Sequence, residues 1–293
     1  MAGETTSTSL ADSMPAVVSS ARQVREHPTG FPGTVDVKPL EKGTGAAWRE
    51  VVLARLAAQA LGQTQKLDNP QEITDTLFSI EPEIYGVHII LTRKVMDQIS
   101  RNAIGETGGL MQNAIQRRKD TDGFAMYDTA SFSQPGAGNV LTSGVISAIG
   151  TQIHGNATEH AAMEEEIFSW LHPYQIHDLQ SESGAGVGTY VIQPGPSMEA
   201  YLRGVKAITV VGGSSIKWGG NIRVDSNDDA HGGSHSKNGI VLVEWEFPDT
   251  YEDTLKNMAG AQAMWLYDGY AYGGRSNGTL FGRILSDATA PVL

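Results

Sequence analysis

Residues 93–131 read RKVMDQISRNAIGETGGLMQNAIQRRKDTDGFAMYDTAS. Whether this stretch is one long helix or several short elements decides the architecture of the chain. Met96, Ile99, Ala103, Leu110, Met111, Ala114 and Ile115 recur at three- and four-residue spacing, which keeps one helical face apolar. Thr92 stands where a capping residue belongs. Gly105, Gly108 and Gly109 interrupt the pattern, and each costs up to ~1 kcal/mol in a helix interior, so a bend or break is expected there. A helix from 93 to about 130 would be ~55 Å long, more than the width of a small domain. Such an element suits a flat, extended molecule better than a compact enzyme with a buried pocket.

The flanking segments set the class. TLFSIEPEIYGVHIILT (76–92) alternates at Tyr85, Val87, Ile89 and Leu91 and is rich in β-branched residues, as a strand requires. Upstream, FPGTVDVKPLEKGTG (31–45) places Val35 and Val37 between Pro and Gly breakers, a strand ending in a turn. AAWREVVLARLAAQAL (46–61) is helical by propensity alone. Residues 1–28 are polar, with one amphipathic piece, MPAVVSSARQVRE (14–26), in which Val17, Val18, Ala21 and Val24 share a face; they form an arm. Downstream, LTSGVISAIGTQIHG (141–155) is a helix capped by Thr142. EEIFSWLHP (165–173) is a strand stopped by Pro173, and PYQIHDLQSES (173–183) a helix with proline in its first turn. GVKAITVVGG (204–213), NGIVLVEWEF (238–247) and LFGRIL (280–285) are further strands. Strands and helices do not alternate strictly, so the class is α+β rather than doubly wound.

Composition excludes several chemistries. The chain has 293 residues, 34 of them glycine, and no cysteine, so disulfides, zinc-thiolate sites and cysteine nucleophiles are absent. Its formal net charge of −12 argues against affinity won by neutralising phosphates. No apolar run approaches the ~20 residues of a membrane span, and MAGETTSTSLADSM (1–14) lacks the basic and apolar regions of a signal peptide.

Four segments carry a resemblance. GTGAAWREV (43–51), LDNPQEITDTLFSIEPEIYGV (67–87), GGLMQNAIQRRKDTDGFAMYD (108–128) and WLHPYQIHDL (170–179) resemble, in order, segments of tailed-phage major capsid proteins, the coat proteins of the Hong Kong-type phage and herpesvirus fold. The resemblance spans roughly residues 12–190. It implies an N-terminal arm (1–31), an extended two-stranded loop (32–75), a peripheral domain holding the long spine helix (76–135), and an axial domain with return strands of the peripheral domain (136–293). Asp120 and Asp122 fall where the family keeps an acidic pair near the end of that helix. The implied loop overrides the helix expected over 48–61, because propensity is a weak prior that pairing between subunits can overcome.

The implied function is a shell of many copies, in hexamers and pentamers, around double-stranded DNA that is packaged without sequence-specific contacts. No catalytic, cofactor or metal residues are implied. Val17, Val18 and Val24 in the arm, and Trp48, Arg49, Glu50 and Asn69 in the loop, are the expected subunit-interface residues. Only about 30 residues precede the loop, and they lack coiled-coil heptads, so a separate scaffolding protein is expected, together with a portal and, as an optional partner, a decoration protein. An encapsulin-like compartment shell shares the fold, and a metal-dependent hydrolase is the competing class.

That hydrolase would rest on two clusters. DSNDDAHGGSHSKN (225–238) offers Asp225, Asp228, Asp229, His231 and His235. It ends in Lys237 where a calcium loop needs a bidentate Glu, and Gly232 and Gly233 separate the histidines, so it reads as a polar surface turn between strands. His160 and Glu164 lie one helical turn apart as a solvated pair. GSSIKWGG (213–220) reads as a turn, His172 as a structural histidine, and Arg117, Arg118 and Lys119 as a solvated helix face.

Overall fold

The computed structural model describes residues 30–41, 45–53, 56, 72–73, 75–98, 101–157, 165–185, 210–258 and 260–291. In chain order these form a 3-10 turn (Phe31–Thr34), β1 (Asp36–Pro39), β2 (Trp48–Leu53), β3 (Asp75–Ile80), β4 (Glu83–Leu91), α1 (Arg93–Gln98) and α2 (Arg101–Ala125). They continue with β5 (Ser133–Pro135), α3 (Ser143–Asn156), β6 (Ile167–Leu171), α4 (Pro173–Ala185), β7 (Val210–Val211), β8 (Ser214–Trp218), β9 (Asp229–Ser236), β10 (Ile240–Leu255), β11 (Ala261–Gly274) and β12 (Phe281–Asp287). One sheet has the order β1-β10-β11-β4, a second β5-β12-β9-β6-β8-β7, and β2 pairs with β3 alone. The arm, with its helix expected over 14–26, lies outside the described residues.

The four-stranded sheet is built on the long β10–β11 hairpin, whose register shifts between Glu244 and Asp249. Pro248 stands inside that shift and has no N–H to give to a ladder. β1 pairs in parallel with β10, Lys38 opposite Val243, and β4 runs antiparallel to β11. α2 lies on this sheet: Met111 and Ile115 pack with Leu91, Met264 and Leu266.

The helix differs from its sequence reading in several ways. It runs unbroken through Gly105, Gly108 and Gly109, because Met111 and Ile115 hold the following turns and packing outweighs local propensity. Helix is described over Arg93–Gln98 and over the 25 residues of Arg101–Ala125, the latter spanning ~37 Å, and a 3-10 turn, Met126–Thr129, succeeds it. Leu110 is exposed, so the apolar stripe is narrower than the spacing suggested. Lys119 does not join a solvated face: it is buried, 2.9 Å from both Glu244 Oε1 and Asp268 Oδ2. Arg118 keeps the expected exposed role, pairing with Asp122 one turn on.

A second correction concerns DSNDDAHGGSHSKN. Every residue of β9, Asp229–Ser236, is buried, and the strand lies between β12 and β6 in the six-stranded sheet. Its polar side chains find partners: Ser234 Oγ lies 2.7 Å from Ser169 Oγ, and His235 Nδ1 2.7 Å from the Tyr127 hydroxyl. The glycines are needed because a Cβ at Gly233 would meet the Tyr127 ring at 2.3 Å, and one at Gly232 the Trp170 carbonyl oxygen at 2.6 Å. GSSIKWGG is likewise a strand, β8, over Ser214–Trp218, with Gly212 and Gly213 forming the turn ahead of it at positive φ.

Two main cores result. Phe31, Phe124, Tyr127, Trp170, Ile240 and Tyr270, with their neighbours, join α2 to both large sheets. Leu141, Ile146, Ile149, Ile153, Leu171 and Ile176 fill a second cluster where α3 and α4 cover the six-stranded sheet. The Thr142 side chain does not cap α3. Glu182 of α4 does so instead, accepting from Ser143 N at 2.7 Å and from Ser143 Oγ at 3.0 Å.

Candidate functional site

Among the described residues, the β2–β3 hairpin leaves a group of large apolar side chains to solvent. Trp48 opposes Ile80 at one end of the ladder, and Leu53 opposes Asp75 at the other. Val51 (54 % exposed), Val52, Leu53 (64 %) and Leu77 (57 %) are open, as are Leu56 and Ile73 beyond the ladder. Val51 and Val52 are adjacent and so point to opposite faces, which leaves neither face of this end buried. A two-stranded ribbon is marginal by itself, and full burial of a Val, Leu or Ile side chain contributes ~1.5–3 kcal/mol. Covering what these six still expose would contribute on the order of 5 kcal/mol.

The base of the hairpin is held firmly. Trp48 packs edge-on against Phe78, ring centroids 6.2 Å apart, and both rest with Leu40, Ile80, Val241 and Val243 on the four-stranded sheet. Arg275, at the end of β11, donates from Nε to Glu50 Oε2 at 2.8 Å and pairs through Nη1 with Asp36 Oδ2 at 2.8 Å. Its guanidinium also lies 6.0 Å from the Trp48 ring. A Cβ at Gly273 would stand 2.5 Å from Ile80 Cδ1, so a bare backbone there lets the hairpin seat.

Of the residues singled out in the sequence, Trp48, Arg49 and Glu50 lie together at this base. Trp48 and Glu50 turn towards the sheet and Arg275, while Arg49 is exposed on the other face. Val17, Val18, Val24 and Asn69 lie outside the described residues. The sequence reading missed Val51, Val52, Leu53 and Leu77; the consecutive apolar residues VVL, without polar alternation, were the available signal. Arg275 left no local signal, because it is 225 residues from Glu50.

The metal candidates fold into ordinary packing. His231 Nδ1 lies 2.6 Å from Asp128 Oδ1, with Arg223 Nη2 3.0 Å from the same ring and Asp225 Oδ2 3.7 Å from Nε2. His235 faces Tyr127 and the Thr34 carbonyl instead. Asp225 accepts from the backbone N–H groups of Asn227 and Asp229, and these bonds hold its carboxyl below the usual range. Among the described residues no group of three or more His, Asp or Glu side chains is placed to hold a metal ion. His172 accepts from Tyr174 N and meets its ring edge to face, its pKa lowered by burial. His160 and Glu164 lie outside the described residues. No described helix is long and apolar enough to cross a membrane.

No family model matches the sequence, and no curated protein does. Solved structures do match. A structure from Mycobacterium phage Che8 superposes with a TM-score of 0.70 at 12 % identity, covering 93 % of this chain and 96 % of that one. The head of Helicobacter pylori bacteriophage KHP40 gives 0.69 at 11 %, covering 92 % and 94 %. The capsid of cyanophage P-SCSP1u gives 0.68 at 11 %, covering 93 % and 91 %. These likenesses identify the fold: the chain has the Hong Kong-type fold of phage capsid proteins.

Proposed function

We propose that the protein is a major capsid protein of a tailed phage, a structural rather than catalytic chain that assembles with copies of itself into a closed shell. The observation that carries this reading is the β2–β3 hairpin, with Val51, Val52, Leu53 and Leu77 exposed on a fold shared with phage capsids over more than nine-tenths of the chain. Its exposed apolar end is what a neighbouring subunit would cover. In this reading residues 1–31 form the arm, 32–75 the extended loop, 76–135 the peripheral domain, and 136–293 the axial domain with the returning strands. A separate scaffolding protein, a portal and packaged double-stranded DNA complete the assembly, with a decoration protein as an optional addition. The net charge of −12 fits a shell that encloses DNA without gripping it.

The test is assembly of the purified chain, alone and with its genomic neighbours, followed by light scattering and negative-stain microscopy. Closed shells or sheets are expected. Replacing Leu53 and Leu77 by Asp should spare folding of the subunit and abolish those particles. A compact species of ~31 kDa at every concentration, or particles unchanged in the double variant, would refute the reading.

A further inference from the structure

Side chains from a helix and two strands converge where α2 lies on the four-stranded sheet. Lys119 comes from α2, Glu244 from β10 and Asp268 from β11, and Lys119 Nζ lies 2.9 Å from both Glu244 Oε1 and Asp268 Oδ2. One ammonium thus serves two carboxylates, which leaves a negative charge uncompensated where water is scarce. The side chains of Asp268 and Lys119 are 3 % and 11 % exposed, while Glu244 keeps 24 %. Asp268 Oδ1 is buried with no hydrogen-bond partner among the described residues, and a buried carboxylate oxygen without a donor is costly. Burial pushes the Asp268 carboxyl above its usual range, against the pull of Lys119, which favours its neutral acid form. The buried Tyr270 ring lies 4.9 Å from Nζ, and Met111 and Ile115 fix α2 against Met264 and Leu266 of β11. Amine and acyl carbon are therefore held together by the fold, the condition under which an intramolecular condensation is most accelerated.

We propose that Lys119 and Asp268 condense within the folded subunit to a side-chain amide, with Glu244 carrying the proton. The ammonium first passes one proton to Asp268 Oδ2, giving an amine beside a neutral acid. Nζ, a small rotation away from the ~3–3.5 Å at which attack begins, adds to Cγ. Glu244 takes a second proton from the nitrogen and returns it to the Oδ2 hydroxyl, which leaves as water while Oδ1 re-forms the carbonyl. An N–C bond replaces a C–O bond, and no oxidant or outside reactant is consumed. Before the step the three side chains hold one positive and two negative charges. Afterwards Glu244 alone is charged, and it is the most exposed of the three. Loss of the buried ion pair, and of the charge on the orphaned Oδ1, favours the amide in this dry setting. The bond ties α2 to β11 within one chain and needs no neighbour, so it stands or falls independently of shell assembly.

The experiment is the intact mass of the purified full chain, followed by tryptic digestion. A chain lighter by one water than its sequence is expected, together with a branched peptide in which Lys119 carries residues 257–275. The full sequence mass, with cleavage after Lys119, would overturn the proposal. Asp268 precedes Gly269, a pair that also loses water by ring closure on the backbone, so a linear 257–275 peptide lighter by one water would overturn it as well. Lys119→Arg keeps the charge but stays protonated and is expected at its full mass; a loss of water that persists in it counts against the amide. Glu244→Gln is expected to fold and to remain at full mass, and a bond formed as completely as in the wild type overturns the role given to Glu244. Should that variant not fold, Glu244→Asp withdraws the carboxylate and is expected to slow the loss of water after refolding at least ~tenfold; an unchanged rate overturns that role.

Discussion

Replacing His235 by alanine tests the reassignment of residues 229–236 from a surface turn to a central strand. His235 is fully buried, its ring packed against Phe31, Tyr127 and Phe168. Nε2–H donates to the Thr34 carbonyl at 3.1 Å, so Nδ1 is the acceptor of the Tyr127 hydroxyl at 2.7 Å. Removing the ring leaves that hydroxyl unsatisfied, which costs ~1–3 kcal/mol, and opens a cavity. The total at neutral pH should be about 3–5 kcal/mol, whereas truncation in a surface turn costs within ~0.5 kcal/mol. Burial lowers the His235 pKa to about 4. As pH falls below ~6.5 the unfolded chain takes up a proton that the native state refuses until about 4, so stability is full above ~6.5 and is lost across that window. By pH 5 the wild type should have lost about 2 kcal/mol that the variant, lacking the group, does not lose. Urea unfolding of unassembled chain at pH 7 and pH 5 measures both quantities: a large gap at pH 7 that narrows by about 2 kcal/mol at pH 5. A variant as stable as the wild type, or a gap independent of pH, would refute the reasoning.

Two further substitutions probe other joints. Gly123→Ala places a Cβ 2.3 Å from the Phe31 ring; because Phe31 is clamped by Phe124, Tyr127 and Trp170, a loss of about 2–3 kcal/mol is expected, and a melting temperature within a degree or two of wild type would contradict it. Arg275→Ala strips Asp36 and Glu50 of their common partner. It should cost about 2 kcal/mol for these partly exposed pairs and raise hydrogen exchange in 48–53 and 75–80 while leaving 229–236 protected; uniform exchange throughout would place the anchor elsewhere.

What the sequence disclosed depended on whether the deciding partners were close in the chain. The strand over 167–171 and the helix beginning at Pro173 follow from alternation and from proline geometry, both local. DAHGGSHS reads as a turn because burial of its polar groups is licensed by partners 65 and 108 residues away, Ser169 and Tyr127. Its glycines resemble turn residues until the ring and carbonyl pressed against them are seen. Lys119 misleads in the same way, since Glu244 and Asp268 arrive from distant strands. Residues 48–53 have helical propensity, and only the family resemblance pointed to the hairpin that they form with 75–80. At the candidate site the run Val51–Leu53 was visible in the sequence, but its exposure was not.

The anchor of the hairpin also imposes an order in time. Glu50 leaves the ribosome 225 residues before Arg275, and β1 waits about as long for β10. At ~5–20 residues per second, the apolar hairpin strands exist for roughly 10–45 s with neither clamp nor sheet beneath them. Several ribosomes on one message would hold identical unclamped segments side by side, where strand edges pair readily. Translation speed and the chaperones that meet the nascent chain therefore bear on the yield of soluble subunits as directly as the stability of the finished fold.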